Sequence, residues 1–219
     1  MVRQAHHEID FVFDSSLVLY LPLHKRDGSS FVSDDVYGHL ATVNGALWRP
    51  DGRYFDGIDD KINLPDVSPL SPTSQITLEA WFNPARTNTG RVISRFPADY
   101  KGWSLYHGTG IGFQLYAGTS LGEAFSAANT IAQDNWYHAV GTYDGACMRV
   151  YINAGASGIP LARTGSIVYT ALQPAIGLDN GAGASQPFKG IIGEARIYSR
   201  ALTPMEIQHN YLATKWRYQ

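Results

Sequence analysis

The stretch Trp136–Ile152, WYHAVGTYDGACMRVYI, carries the clearest fold signal in the chain. Apolar and polar residues alternate on both sides of Asp144-Gly145, a pair typical of a tight hairpin turn. The pair predicts a type I′ turn, because that turn needs a positive φ at both central residues. In the second strand, the apolar residues at alternate positions from Met148 to Ile152 share one face, which we predict to face the core.

Similar segments recur along the chain, separated by turn residues. Their spacing of about 8 to 12 residues is typical of a sandwich or barrel, not of alternating strands and helices. We predict strands near 17–22, 46–49, 53–56, 60–64, 75–83, 91–96, 102–107, 111–117, 136–143, 147–153, 159–163, 172–177 and 187–199.

The composition also favours an all-β chain. Of the 219 residues, 44% are hydrophobic, 22 are Gly and 13 are Tyr, whereas only 16% are charged. Abundant glycine and aromatic residues suit short strands joined by tight turns. The formal net charge is −2 and Lys and Arg form no run. This argues against nucleic-acid binding, which needs a basic face.

One helix is expected near the C-terminus. The segment Thr203–Glu206 combines a capping Thr, a Pro at the first helical position and a Glu that completes a capping box. A helix over about 204–214 is predicted to follow, with Ile207, Tyr211 and Leu212 as its apolar stripe.

We expect a single domain over residues 16–219, preceded by an N-terminal extension at 1–15. The only cysteine, Cys147, excludes an intramolecular disulfide. The N-terminal sequence MVRQAHHEIDFVFDSS lacks the apolar core of a signal peptide. The longest apolar run, LVLYLPL, is far below the roughly 18 residues that span a bilayer, so no membrane insertion is expected.

Four segments, in order, resemble the laminin-G-like, concanavalin A-like jelly-roll family. They are LVLYLPL to FDGIDDKINLP at 17–65, ITLEAWFNP at 76–84, NWYHAVGTYDGACMRVYINAG at 135–155 and FKGIIGEARIYSRALTPMEI at 188–207. The resemblance implies a sandwich of two curved antiparallel sheets of about six or seven strands each, with a short C-terminal helix.

The resemblance also implies a choice of functions, because one scaffold hosts many activities. The first hypothesis is a non-catalytic, lectin-like carbohydrate-binding or adhesion module, with or without calcium, that binds a glycan or polysaccharide at an extracellular or virion surface. The second is a structural or assembly protein, such as a phage or viral decoration, tail or fibre component. Its N-terminal extension would pair with another copy or with a capsid or surface protein.

A glycoside hydrolase or lyase is the weakest hypothesis. Hydrolysis needs two carboxylates placed on either side of the scissile bond. The hydrolytic relatives carry them as E-x-D-x-x-E, and neither Glu79 nor Glu194 has an acidic partner at that spacing. We therefore expect no catalytic residues, and we interpret both as surface or ion-paired carboxylates.

Calcium is the one cofactor that the resemblance suggests. The ion takes about six to eight oxygen ligands, commonly from loops. We predict Asp34, Asp35, Asp59 and Asp60 as ligands, with Asp27 and Asp56 as further candidates. Many relatives place a ligating Asp on the closing strand, where this chain has Gly193. A glycine there offers only its carbonyl oxygen.

The segment Tyr54–Pro65, YFDGIDDKINLP, also has a purely structural interpretation. Asp56-Gly57 is typical of a hairpin corner, in which Asp bonds its own backbone and Gly accepts a positive φ. Phe55 would enter the core, and Asp59 or Asp60 would bind backbone N–H groups at the turn.

Two loops are predicted to form a glycan site. A flat aromatic ring stacks on the apolar face of a sugar, while carboxylates and amides bind its hydroxyls. We place Trp103 in or beside one loop and a polar, glycine-flanked pair in the other. The predicted site consists of Asp99, Tyr100, Trp103, His107, Asp179 and Asn180. The alternative is that both loops simply cap the sandwich.

Overall fold

The computed structural model describes residues 11–181 and 186–218, which form two antiparallel sheets around one apolar interior. The strands are β1 (Leu17–Pro22), β2 (Ser30–Val32), β3 (Leu40–Asn44), β4 (Leu47–Arg49), β5 (Gly52–Asp56), β6 (Lys61–Asn63), β7 (Ile76–Pro84), β8 (Gly90–Arg95), β9 (Trp103–His107), β10 (Ile111–Ala117), β11 (Ser120–Phe125), β12 (Tyr137–Tyr143), β13 (Cys147–Ile152), β14 (Gly155–Ala162), β15 (Ala175–Ile176) and β16 (Lys189–Tyr198). The helix α1 spans Pro204–Thr214, and single 3-10 turns occur at Ser68–Leu70 and Lys215–Arg217.

The two sheets confirm the predicted jelly-roll sandwich. Sheet 1 has the order β14-β13-β12-β7-β16-β5-β4, and β1 also pairs with β16. Sheet 2 has the order β11-β10-β9-β8-β15-β6-β3-β2. Each sheet has eight strands among the described residues, more than the six or seven that the resemblance implied. Several of the additional strands, such as β2, are only three residues long, and such short segments leave little trace in sequence periodicity.

The hairpin at Asp144-Gly145 is confirmed, but its predicted turn type is wrong. Strands β12 and β13 pair from Tyr143↔Met148 outward, as the alternation requires. Gly145 has a φ of 93°, whereas Asp144 does not have a positive φ. A type I′ turn needs both. The Asp144 carboxylate instead accepts the backbone N–H groups of Ala146 and Cys147, which closes the turn through a side chain.

The interior between the sheets is continuous and apolar. Phe82 and Ile192 of sheet 1 and Phe113 and Leu115 of sheet 2 are all 0% exposed within one cluster. Burying a side chain of this size stabilises the fold by roughly 1.5–3 kcal/mol. The interior therefore needs no disulfide to hold the sheets together.

The outer face of sheet 1 is covered by helix α1. The helix begins as predicted, since the Thr203 hydroxyl accepts the Glu206 N–H and the Glu206 carboxylate accepts the Thr203 N–H. A second apolar cluster joins Tyr198 and Val140 of the sheet to Leu202 and Ile207. None of the described helices is long and apolar enough to cross a membrane.

The face that α1 turns to the sheet differs from the prediction. Ile207, Asn210 and Thr214 are buried, whereas Leu212 is 41% exposed. The cause is polar: Asn210 donates to the Glu79 carboxylate at 2.8 Å, and Thr214 accepts the Trp81 indole N–H at 2.8 Å. Sheet 1 offers charged partners on this face, so two polar helix residues pack inward.

A buried charge network lies between α1 and sheet 1. The Arg196 guanidinium donates to Glu79 Oε1 at 2.6 Å and also bonds Glu194. His138 Nε2 donates to the same Glu79 oxygen at 2.8 Å. Burial alone would raise the pKa of Glu79, but Arg196 and the hydrogen bonds from His138 and Asn210 lower it to about 2. Glu79 and Glu194 are thus ion-paired carboxylates, and neither is a surface group.

The end of the N-terminal extension packs on the same network. The Val12 N–H donates to the Asn210 side chain at 2.8 Å, and the Tyr198 hydroxyl donates to the Val12 carbonyl at 3.0 Å. The Phe11 ring covers the Arg196 guanidinium, with 4.1 Å from Cζ to the ring centroid. Residues 1–10 of the extension lie outside the described residues.

Replacing Glu79 with glutamine should destabilise the protein in a pH-dependent way. The variant leaves the buried Arg196 guanidinium with only one carboxylate partner, Glu194. We therefore expect the free energy of unfolding to fall by about 3 kcal/mol at pH 7. The folded pKa of Glu79, about 2, lies below its ordinary value near 4.5. Its contribution is therefore present above pH 4.5 and disappears as the pH falls toward 2. Urea unfolding of parent and variant across this range measures the difference.

Asp134→Asn is the matched control, because Asp134 is exposed and its positive φ suits asparagine. Its free energy of unfolding should match that of the parent within about 0.5 kcal/mol at every pH. A gap between Glu79→Gln and parent that stays constant from neutral to strongly acidic pH would contradict the ion-pair account.

Candidate functional site

The outer face of sheet 2 carries a row of polar side chains. In β9, Trp103, Leu105 and His107 point into the interior, so the alternate residues point outward. The cross-strand pairs Gln114↔Ser104 and Gln114↔Glu123 place these residues on the same outer face. The row consists of Arg91, Ser104, Tyr106, Gln114 and Glu123, and we call it the Arg91–Glu123 row.

Hydrogen bonds connect all five members of the row. Arg91 Nη1 donates to Ser104 Oγ at 3.0 Å and to Gln114 Oε1 at 2.5 Å. Gln114 Nε2 donates to Glu123 Oε1 at 2.5 Å. The Tyr106 hydroxyl donates to the same carboxylate oxygen at 2.5 Å. The row is therefore held in one geometry by its own contacts.

A glycine lets the Tyr106 ring lie across the sheet. A Cβ atom on Gly112, directly opposite on β10, would lie 2.0 Å from Tyr106 Cζ. The bare backbone at this position leaves room for the ring to reach Glu123. The ring of Phe125, 53% exposed, meets Tyr106 edge-on with 6.4 Å between centroids. Two aromatic rings thus border the partly exposed end of the row.

The other end of the row is buried. Arg91 is 4% exposed, and its guanidinium lies 5.0 Å from the ring centroids of both Phe96 and Tyr106. Burial lowers the pKa of Arg91, and the nearby carboxylates of Asp179 and Glu123 oppose that shift. Cation–π contacts and the two carboxylates therefore stabilise the buried positive charge of Arg91.

Two residues of the predicted glycan site lie in the interior. Trp103 begins β9 directly after a loop, as predicted, but it is 0% exposed within the main core, so the prediction that its ring stacks on a sugar is wrong. Its side chain has no surface on which a sugar can stack, and Trp103→Ala would remove core packing instead. His107 is also 0% exposed, and burial lowers its pKa to about 4.

Asp99 and Tyr100 lie on the loop between β8 and β9. Tyr100 has a φ of 63° and is 54% exposed, and its ring contacts Phe96 with 5.6 Å between centroids. Phe96 also contacts Arg91, so the Phe96 ring separates Tyr100 from the row. Asp99 accepts the Thr170 hydroxyl at 2.6 Å, which ties this loop to the segment before β15.

Asp179 and Asn180 lie on the loop that follows β15. Asp179 is 4% exposed, and its Oδ2 has no hydrogen-bond partner. Burial raises the pKa of Asp179, although the Gly181 N–H and the charge of Arg91 act against the shift. Asn180 donates to Asn63 and accepts from Lys61, each at 2.9 Å. Of the six predicted residues, the structure thus brings Tyr100 and Asp179 close to Arg91.

The predicted calcium ligands do not form one group. Asp34 pairs with Arg26, and both oxygens of Asp35 accept backbone N–H groups. A separate group of three carboxylates, Asp56, Asp59 and Asp60, places oxygen atoms within 4.8 Å of one another. Asp60 also accepts the Asp56 N–H at 2.8 Å, as the structural interpretation of this segment predicts.

The closing-strand position does not fit a carboxylate ligand. A Cβ atom on Gly193 would lie 2.4 Å from the Tyr218 ring, so the ring fills the space of a side chain. The Gly193 carbonyl already accepts the Leu23 N–H at 3.0 Å. Among the described residues, the Asp56, Asp59 and Asp60 group is the one set of three close carboxylates whose chemistry fits calcium.

The sequence contained a signal for the row that we did not use. Segments 102–107 and 111–117 are predicted strands, and polar residues alternate with apolar ones in WSLYH and IGFQLYA. That alternation predicts Tyr106 and Gln114 on an outer face. Glu123 lies on β11, which the sequence analysis did not predict.

The comparison with protein families gives one match. The chain matches the profile described as the concanavalin A-like lectin/glucanases superfamily over residues 56–208. A search of curated proteins finds no match to the sequence.

Two of the solved structures with similar folds are neurotoxin binding domains. The botulinum neurotoxin serotype D ligand-binding domain in complex with N-acetylneuraminic acid has a TM-score of 0.70 at 15% identity, covering 90% of this chain and 50% of that one. The botulinum neurotoxin DC binding domain in complex with rat synaptotagmin II has a TM-score of 0.69 at 14% identity, covering 92% and 52%.

A third similar structure matches over almost its full length. Domain 4 of AbnA, a GH43 extracellular arabinanase from Geobacillus stearothermophilus, in complex with arabinotriose, has a TM-score of 0.62 at 19% identity. The alignment covers 90% of this chain and 98% of that domain. The chain thus spans about half the length of the neurotoxin domains and nearly all of the arabinanase domain. At these identities the similarity shows the fold.

Proposed function

This chain belongs to the concanavalin A-like lectin/glucanase superfamily, and on that premise we propose that it is a non-catalytic carbohydrate-binding module. The observation that carries the proposal is the Arg91–Glu123 row with its two bordering rings. A flat tyrosine ring beside a fixed carboxylate and amide is the combination that binds a sugar ring and its hydroxyls. Two similar domains were solved with sugars, N-acetylneuraminic acid and arabinotriose.

The position of the sheet 1 carboxylates supports a non-catalytic role. Glu79 and Glu194 are both 1% exposed or less and are bound to Arg196 beneath α1 and Tyr218. A glycosidic bond cannot reach them without removing this cover. On sheet 2, Asp179 is 4% exposed, so this carboxylate does not give Glu123 an accessible second acid for hydrolysis.

The assembly role has less support. It requires the N-terminal extension to reach a neighbouring copy or a capsid or surface protein. Residues Phe11 and Val12 instead bind Arg196, Asn210 and Tyr198 of their own domain. Among the described residues of the extension, Phe13, Asp14 and Ser15 remain exposed, and residues 1–10 lie outside the described residues.

The Tyr106 ring should be essential for glycan binding. Tyr106→Ala removes the ring, and Gly112→Ala places a methyl group where the ring lies, so each should weaken binding about tenfold or more. A glycan array selects the ligand, and isothermal titration of that ligand gives the affinities. Trp48→Ala is the control, since Trp48 is 40% exposed but lies on β4 of sheet 1.

Both variants should keep the circular dichroism spectrum of the parent. If the ligand binds both with the parent's affinity, the row is not the site. If no glycan binds the parent protein at all, the carbohydrate-binding function itself is wrong.

We propose calcium as an accessory ion at Asp56, Asp59 and Asp60. Three close carboxylates supply part of the oxygen shell that calcium prefers, and backbone and water oxygens would complete it. The group adjoins β6, whose Asn63 binds Asn180. A bound ion would therefore fix the loop between β5 and β6, which leads into sheet 2, the sheet that carries the row.

Calcium should raise the melting temperature of the parent by about 5 °C when its concentration is about 100-fold above the dissociation constant. Asp59→Asn, which leaves the Asp60 hydrogen bond to the backbone intact, should reduce that shift. Asp34→Asn, whose carboxylate lies outside the group, should keep it. If each of the three proteins has the same melting temperature in calcium as in EDTA, the proposed ligands are excluded.

A further inference from the structure

Two hydrogen bonds of the row end on one carboxylate, that of Glu123. Arg91 can only donate, so the Gln114 atom that it binds is the amide oxygen, and the Gln114 amide nitrogen faces Glu123. Tyr106 donates to Glu123 from the other side. The direction of donation therefore runs from the buried arginine to the partly exposed glutamate.

This direction fixes what the row can offer to a ligand. The Gln114 amide N–H and the Tyr106 hydroxyl both donate to Glu123 Oε1, so neither of these hydrogens is free to bind a ligand. Glu123 Oε2 has no hydrogen-bond partner among the described residues. The charged atom that a ligand meets at the open end of the row is thus an acceptor, and it needs a ligand that donates.

The positive charge at the site is almost fully buried. Arg91 is the only cation that contacts the row among the described residues, and it is 4% exposed between two aromatic rings. Its Nη1 is bonded to Ser104 and Gln114. A ligand carboxylate would therefore meet the Glu123 carboxylate without an exposed guanidinium to bind.

We propose that the Arg91–Glu123 row selects neutral glycans and rejects acidic ones. Hydroxyl groups of the sugar donate to Glu123, and an apolar sugar face rests against Tyr106 and Phe125. A uronate or sialate brings a second negative charge next to Glu123, which is unfavourable. This inference rests on the proposed carbohydrate-binding function and specifies its ligand class.

The test compares oligosaccharides that share a backbone and differ in charge. Suitable pairs are methyl-esterified and free oligogalacturonates, xylo-oligosaccharides with and without glucuronate, and lactose and N-acetylneuraminyl-lactose, with arabinotriose as a further neutral probe. We expect the parent to bind the neutral member of a pair about tenfold or more tightly. In Glu123→Gln the ratio of the two affinities should fall toward one, because the repelling charge is gone. Asp134→Asn should leave the ratio unchanged.

The outcomes separate this inference from the proposed function. An acidic glycan that binds as tightly as its neutral partner overturns the selectivity and leaves the binding function standing. A ratio that stays the same in Glu123→Gln and in the parent overturns the assignment of Glu123. Silence toward every probe overturns both the function and the selectivity. The parent comparison needs no variant, so a destabilised Glu123→Gln would not obscure it.

Discussion

The ion pair between Glu79 and Arg196 imposes the strongest constraint on this domain. Both groups point outward from the centre of sheet 1, and both are 1% exposed or less. Burying an ion pair costs desolvation free energy, which the short Arg196–Glu79 contact and the further hydrogen bonds from His138 and Asn210 offset. Helix α1, the Phe11–Val12 segment and the 3-10 turn at Lys215–Arg217 cover the pair. With sheet 1 covered, sheet 2 provides the sandwich face on which polar groups meet solvent.

The distance in sequence between contacting residues explains which parts of the fold were predictable. The hairpin at Gly145 and the cap at Thr203 depend on residues close in sequence, and both are confirmed. The face of α1 depends on Glu79 and Trp81, which are more than a hundred residues away. Amphipathicity alone therefore predicted Leu212 as buried, whereas Asn210 and Thr214 occupy that face. Three-residue strands such as β2 are too short for a periodic signal.

The candidate site was only partly predictable for the same reason. Loop composition predicted Tyr100 and Asp179 as site residues; Tyr100 contacts Phe96, which stacks on Arg91, and the charge of Asp179 acts on Arg91. Trp103 was expected to be accessible because it stands beside a loop, but at the start of β9 its side chain points into the core. Arg91 points outward because the register shifts between Arg91 and Ile93, and such a bulge has no clear sequence signal. The row also joins four strands whose neighbours become known only from the sheet order.

The central claim is that a glycan binds the open outer face of sheet 2. The most direct measurement is the mapping of backbone amide chemical shifts while a neutral oligosaccharide selected by array is titrated into the protein. The account predicts the largest shifts on β9, β10 and β11 around Tyr106, Gly112 and Glu123, with none around Glu79 or α1. Shifts confined to sheet 1, or to the loop at Asp56–Asp60, would contradict it.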